Sequence, residues 1–333
     1  MRKIYVLFAL LCVGISTLFI TGCETNKNKI RVAEVTHSVF YAPQYVAMSE
    51  KIFEKNGLDV EVFLASGADK VMAALLSKDA DIGLMGPEAS IYVYAQGKKD
   101  YAITFAQLTQ KDGSFIFGRE DNLDFKLEDL AGKSILGGRR GGMPLMTLEY
   151  VLKQAGLNPE KDNPKANINV RTDVAFAAQA GAFIGGEADY TTLFEPTASQ
   201  LALEGKGFVL ASVGSFTDEV AYTCYSTLKS YMNKNDDKIV KFTNAITEAL
   251  NWVKTHTAKQ IALSIHQYFK ETTIEVLESS IQRYKDINAW SETPYLDESE
   301  FKHLQDIMIS SKEISKYASY KDLIINKYII NKK

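Results

Sequence analysis

The feature that most narrows what this chain can fold into is an alternation. From residue 29 to residue 194, short apolar strands and amphipathic helices take turns, and glycine, proline or a capping residue marks nearly every joint. Residues 29–35 read as a strand, followed by a helix that Asn56-Gly57 stops. A strand over 58–64 then reaches Ser66-Gly67-Ala68-Asp69, a turn and cap for a helix over 70–77. The strand over 82–85 ends in Gly86-Pro87-Glu88 and opens another helix. Further strands are expected over 101–108, 114–118, 134–136, 168–171, 190–194, 208–213 and 222–226, with helices to Gly156 and over 175–183. Such a pattern predicts an α/β fold in which mainly parallel sheets are covered by helices.

After Asn233 the chain turns helical, with Ile239, Phe242, Ile246, Leu250 and Val253 at helical spacing. More helices are expected over 259–268, 273–285, 298–310 and 320–330. Removing a leader from the 333 residues leaves about 300, beyond what one core of roughly 250 to 300 residues usually holds, so two lobes are expected. The chain should cross between them near 117–120 and 221–227, which places lobe 1 at 30–117 plus 226–333 and lobe 2 at 118–225. An internal echo supports two similar lobes: Ala80-Asp81-Ile82 and Ala188-Asp189-Tyr190 each follow a helix end and open a strand.

The N-terminus bears on the compartment. Met1-Arg2-Lys3 is a short basic region, residues 4–20 are apolar, and Ile20-Thr21-Gly22-Cys23 is a lipoprotein cleavage box. Residues 1–22 therefore read as a signal peptide, Cys23 as the lipidated N-terminus and 23–29 as a tether. Beyond Cys23 only Cys224 remains, which excludes an internal disulfide framework and a cysteine-based metal site. With 38 basic and 41 acidic side chains the formal charge is −3, and no basic stripe suggests nucleic acid. The histidines form no triad or metal set, so neither a metal nor a cofactor is expected.

The most distinctive local stretch is Leu136-Gly-Gly-Arg-Arg-Gly-Gly-Met-Pro-Leu-Met146, a strand end running through four glycines and two arginines into a helix. Free backbone N–H groups and a partial positive charge at such a helix start favour an anion. Either Arg139 or Arg140 could add to that cradle or point into water. The stretch lacks the spacing of a dinucleotide fingerprint and the Lys-Ser/Thr pair of a P-loop.

Several stretches in order, Phe40-Tyr-Ala-Pro-Gln-Tyr-Val-Ala47, Gly57-Leu58-Asp59-Val60, Ala80-Asp81-Ile82-Gly83, Leu130-Ala-Gly-Lys133, Phe194-Glu195-Pro196 and Ala289-Trp290, resemble the solute-binding components of ABC importers in the nitrate, sulfonate, taurine and thiamine-precursor group. The resemblance covers most of the chain after the leader. It implies a two-lobed type II periplasmic binding protein fold, a ligand held between the lobes, and hinge strands that let them close. Carried over by position, the cleft would be lined by Thr36, His37, Ser38, Phe40 and Tyr41, then Ser66 and Gly67, then Gly86, Glu88 and Ser90. The far lobe would add Gly138, Arg139, Arg140, Gly141, Gly142, Met143, Asp173, Glu195 and Tyr222. Loops at the carboxyl ends of parallel strands are where open α/β sheets bind ligands.

The implied protein is a non-enzymatic, extracytoplasmic, lipid-anchored monomer that delivers a small polar organic solute to an ABC permease and its ATPase. Glu88 and Glu195 depart from a pure anion site, because a carboxylate repels an anion. Paired with Arg139 or Arg140, a glutamate instead favours a solute with an acidic end and an amine, such as an aminosulfonate or a sulfur-containing amino acid. Aromatic residues around Phe40, Tyr41 and Tyr222 keep a thiamine pyrimidine precursor as the alternative. A pyrimidine-synthase-like enzyme would need a cysteine cluster that this sequence lacks.

Overall fold

The computed structural model describes residues 28–329; the leader, Cys23 and most of the tether lie outside them. Eleven strands among the described residues build two sheets: β1 (Lys29–Glu34), β2 (Asp59–Leu64), β3 (Ile82–Met85), β4 (Ala102–Thr109), β5 (Ser114–Gly118), β6 (Ser134–Leu136), β7 (Pro159–Lys161), β8 (Ile168–Arg171), β9 (Tyr190–Phe194), β10 (Phe208–Ser212) and β11 (Thr223–Leu228). The first sheet runs β2-β1-β3-β11-β4 and the second β10-β5-β9-β6-β8-β7.

Apart from β7, which extends one edge, the two sheets share a topology. Each has its second, first and third strands parallel, then an antiparallel strand, then its fourth. The antiparallel strand is borrowed: β11 returns to the first sheet and β5 is the first to enter the second. The chain crosses at 110–113 and again at 213–222, a few residues before the sequence-drawn boundaries at 117/118 and 225/226, which fall inside β5 and β11.

The sequence echo has a physical basis. Asp81, just before β3, accepts the backbone N–H of Arg31 in β1 at 2.9 Å, and Asp189, just before β9, accepts that of Ser134 in β6 at 2.8 Å. In both halves the aspartate ties the third strand to the first. It satisfies an N–H that the ladder leaves over at a sheet end.

The tail helices pack on the first sheet. Phe242, Ile246, Leu250 and Val253 of helix Asp236–Thr255 are buried with Ile30, Val32, Phe53 and Tyr225 in one cluster. Helix Glu298–Ser310 reaches the second half, where Lys153 donates to the Ser310 carbonyl at 2.8 Å. The helix expected over 320–330 ends at Leu323, and Ile324 bridges Thr104 on the open edge of β4. An unpaired edge there takes the backbone in preference to another helical turn.

A candidate solute cleft between the sheets

Loops at the carboxyl ends of the two sets of parallel strands touch: Ser38 after β1 bonds Glu195 after β9, and Asp69 after β2 pairs with Arg139 after β6. On the first side, Ser38 caps the turn Val39–Tyr41 by accepting from Phe40 N at 3.1 Å, and its hydroxyl donates to the Glu195 carbonyl at 2.6 Å. One residue thereby links the loop after β1 to the end of β9. Phe40 is fully buried, edge-on to Phe194 at 5.6 Å and Tyr222 at 5.7 Å. Tyr41 beside it is buried as well, and burial pushes its hydroxyl far above the usual tyrosine range.

His37 turns toward the tail. Its ring stacks on Phe269 at 4.4 Å, and its nitrogens lie 2.8 Å from the Tyr268 carbonyl and 2.8 Å from the Tyr45 hydroxyl. The nearby Glu34 carboxylate raises its pKa, against the opposing effect of burial. Thr36 is half-buried and Ser66 exposed. Gly67 sits at φ 139°, a backbone region that side chains rarely adopt, and lies beside the Arg139 guanidinium.

The loop after β3 folds Glu88 under itself. A Cβ on Gly86 would fall 1.8 Å from Glu88 Oε2, so only glycine leaves room for the carboxylate there. Glu88 is 3% exposed and Oε2 has no hydrogen-bond partner. Desolvation pushes its pKa up to about 7, while its own backbone N–H and the Arg139 charge pull it back. Ser90, two residues on, is fully buried with an equally unpartnered hydroxyl.

Across the cleft, the two arginines part company. Arg139 pairs with Asp69 of the first lobe at 3.0 Å, whereas Arg140 pairs with Asp162 at 2.8 Å and bonds Thr172 within its own lobe. Tyr92 donates to the Gly141 carbonyl at 3.4 Å, a second contact across the mouth. Helix Met143–Gln154 starts without a side-chain cap and with proline in its first turn; Gly138, Gly142 and Met143 are buried. Asp173 is held by Arg171 at 2.7 Å and lines a surface hollow of about 600 Å3 together with Lys133 and Asp189.

Glu195 is saturated. Its carboxylate accepts from Ser199 N at 2.8 Å, Ser199 Oγ at 2.9 Å, Ser280 Oγ at 3.2 Å and Arg283 at 2.8 Å, and its side chain is wholly buried. Tyr222 is different, since its hydroxyl is buried beside Asp112 with no bond of proper geometry.

Asp112, between β4 and β5, is a buried carboxylate the sequence did not single out. Fully buried in the first crossing, it accepts from Ser114 N at 2.7 Å and Ser114 Oγ at 2.5 Å through Oδ1 and leaves Oδ2 unpartnered. Burial raises its pKa to about 6, against the pull of Ser114. An Asp-Gly pair between two strands reads as a turn, so its sequence signal pointed elsewhere. Gln179, after the carboxyl end of β8, was missed too; it is 1% exposed and neither side-chain amide atom has a partner. Asp69 entered the sequence reading only as part of a turn. Among the described residues no group of three or more His, Cys, Asp or Glu could hold a metal ion, and no helix is long and apolar enough to cross a membrane.

The family described as NMT1/THI5 like matches residues 39–259. A Bacillus subtilis (strain 168) protein, provisionally named as the binding protein YtlA, is 46% identical over 325 residues, covering 96% of each chain. Among solved structures, the alkanesulfonate-binding protein SsuA from Xanthomonas axonopodis pv. citri bound to MOPS shares the fold with a TM-score of 0.70, covering 90% of this chain and 98% of its own at 15% identity. The periplasmic nitrate-binding protein NrtA from Synechocystis PCC 6803 does so at 0.62, covering 86% and 81% at 16% identity.

Proposed function

The chain belongs to the NMT1/THI5-like family, and on that premise we propose that it is the solute-binding component of an ABC importer, which captures a small polar organic solute between its lobes and hands it to a membrane permease. One observation carries this reading. At the first crossing Asp112 and Tyr222 lie side by side with Glu88 in electrostatic reach of Tyr222, and each of the three is at least nine-tenths buried and keeps a polar atom without a well-formed hydrogen bond. Leaving such atoms unmade costs about 1–3 kcal/mol apiece, which a ligand contacting both lobes would recover. Recovery is possible only when the lobes are closed, so binding favours closure, and the closed form is what a permease can distinguish.

Among solute classes, an aliphatic aminosulfonate or a sulfur-containing amino acid fits best. The glycine loop and the start of helix Met143–Gln154 suit an acidic end, and Glu88 suits an amine. Sulfonate- and nitrate-binding proteins of the same fold lend the acidic end general support. A thiamine pyrimidine precursor is the second reading, favoured by the aromatic wall of Phe40, Tyr41 and Tyr222. The protein acts outside the cytoplasm on a lipid anchor, a reading that rests on Ile20-Thr21-Gly22-Cys23.

A thermal-shift screen with the solute assayed afterwards tests capture against turnover. Saturation at one hundred times Kd should add about 2.7 kcal/mol of stability with the solute recovered unchanged. Conversion of the bound solute to a product would contradict the reading. For the anchor, Cys23→Ala should release the protein to the medium, and retention in the membrane fraction would count against lipidation.

A further inference from the structure

We infer a second ligand site, at the hinge and apart from the solute cleft: a hollow of about 500 Å3 that takes a small carboxylate with an apolar body, its acid held by Lys285 and Ser291. None of Ser38, Glu88, Asp112, Arg139 or Tyr222 lines it, so the inference does not rest on the capture reading.

Three parts of the chain and both crossings build the hollow. Leu250 and Val253 come from the end of helix Asp236–Thr255, and Tyr284 and Lys285 from helix Ile274–Asp286. Trp290 and Ser291 come from the stretch beside β4, where Ser291 N donates to the Leu108 carbonyl at 3.0 Å. Gln110 and Glu219 add one residue from each crossing, next to the bond from Val220 N to the Gln110 carbonyl at 2.9 Å. A volume within roughly 300–1,000 Å3, apolar walls and a few polar groups are the usual makings of a small-molecule site.

Two of its polar groups lack a counterpart. Ser291 is 3% exposed and its hydroxyl has no partner. Lys285 donates to the Val253 and His256 carbonyls, both at 2.9 Å, which leaves the third N–H of its ammonium unused. Among the described residues no carboxylate pairs with Lys285, and burial lowers its pKa with no acid to offset the effect. A cation withdrawn from water is ordinarily paired. The nearby glutamates do not fill that role, because Glu292 pairs with Lys254 at 3.2 Å on the exposed rim and Glu219 is exposed as well. A ligand carboxylate accepts from Lys285 in a charge-assisted bond and from Ser291 in a neutral one, while its carbon body covers Leu250, Val253 and Trp290.

Tyr284 and Trp290 carry the effect inward. The Tyr284 hydroxyl donates to the Gly113 carbonyl at 3.0 Å and accepts from Glu195 N at 3.1 Å, and Trp290 Nε1 donates to the Phe40 carbonyl at 2.8 Å. An occupant therefore touches both crossings and the residues that join them to the cleft loops, and it biases the lobes toward the arrangement that shapes the hollow.

Calorimetry on the purified full chain tests this by comparing hexanoate with 1-hexanol and benzoate with benzyl alcohol. At least one acid should bind about tenfold or more tighter than its alcohol, as a bond to a charged group allows. Lys285→Gln, which keeps a donor and drops the charge, should erase that preference. Ser291→Ala should weaken the same acid about threefold, the effect of one neutral bond. With the acid bound, backbone amides over 110–113 and 213–222 should exchange hydrogen more slowly. Equal binding of acids and alcohols, no binding by any of the four probes, or acid binding unchanged in both variants would overturn the inference and leave capture in the cleft standing. Should circular dichroism show that Lys285→Gln does not fold, unchanged binding by Ser291→Ala overturns it alone.

Discussion

Glu88 and Glu195 occupy matching places in the two halves of this molecule, each just beyond the third parallel strand of its sheet, and they have opposite fates. Glu195 is met by Ser199 N, Ser199 Oγ and Arg283, with the Ser280 hydroxyl shared between it and the Val276 carbonyl. Glu88 has its own backbone N–H, and its Oε2 lies against Gly86 with no donor. A tail helix, Ile274–Asp286, makes the difference, because it brings Ser280 and Arg283 to Glu195 and sends nothing to Glu88. Buried carboxylates alone therefore do not mark a ligand site. A complete set of partners makes Glu195 a clasp between elements, whereas Glu88 keeps an acceptor that a ligand's donor could meet.

The largest effect should come from breaking the finished set. Glu195→Ala leaves Arg283 beside an empty space, and we expect a loss of about 3 kcal/mol, the lower end for a broken buried pair because the arginine side chain is 31% exposed. Chemical denaturation would show it as an earlier midpoint; an unchanged midpoint would erase the contrast between the two glutamates.

Glu88→Gln should move stability the other way. The folded carboxyl keeps its proton to about pH 7 against an ordinary 4.5, among Arg139, Tyr41, Tyr92 and Tyr222. Its contribution is therefore complete below pH 4.5 and is lost as pH rises through 7. At pH 8 the empty wild type should be up to about 3 kcal/mol less stable than the glutamine variant, and the two should converge toward pH 4. Parallel melting curves across this range would contradict the account.

Binding of an amine-bearing probe should strengthen by roughly tenfold or more from pH 5 to pH 8, as the charge on Glu88, whose pKa burial raises to about 7, becomes fully available. The smallest effects concern the arginines. The half-exposed Arg139–Asp69 pair is worth no more than about 1 kcal/mol, so Asp69→Asn should cost little stability while loosening the cleft mouth. Arg140→Ala should leave solute binding untouched, since its partners Asp162 and Thr172 lie in its own lobe.

Much of this architecture was legible before any coordinates. Apolar runs with glycine or proline stops marked β1, β3, β6, β8 and β9, and the two Ala-Asp pairs marked a repeat that the aspartate-to-strand bonds explain. The strand crossings were displaced because β5 and β11 are buried on both faces, and no polar break shows where the chain leaves one sheet for the other. Edge strand β7 was hidden in a polar connection, since none of its three side chains is fully buried. In the cleft, chain order located the loops, but Arg139 and Arg140 are neighbours in sequence and only backbone direction sends one across the mouth. Asp112 was invisible for a similar reason, because burial, and not residue type, turns an Asp-Gly turn into a buried acceptor.

The most direct test is to denature the protein as purified from its own cells and identify, by mass spectrometry, the small molecule it releases. The account predicts a solute bearing a protonated nitrogen, present with the wild type and with Arg140→Ala and lost from Glu88→Gln. A nitrogen-free acid carried equally by wild type and Glu88→Gln would contradict it.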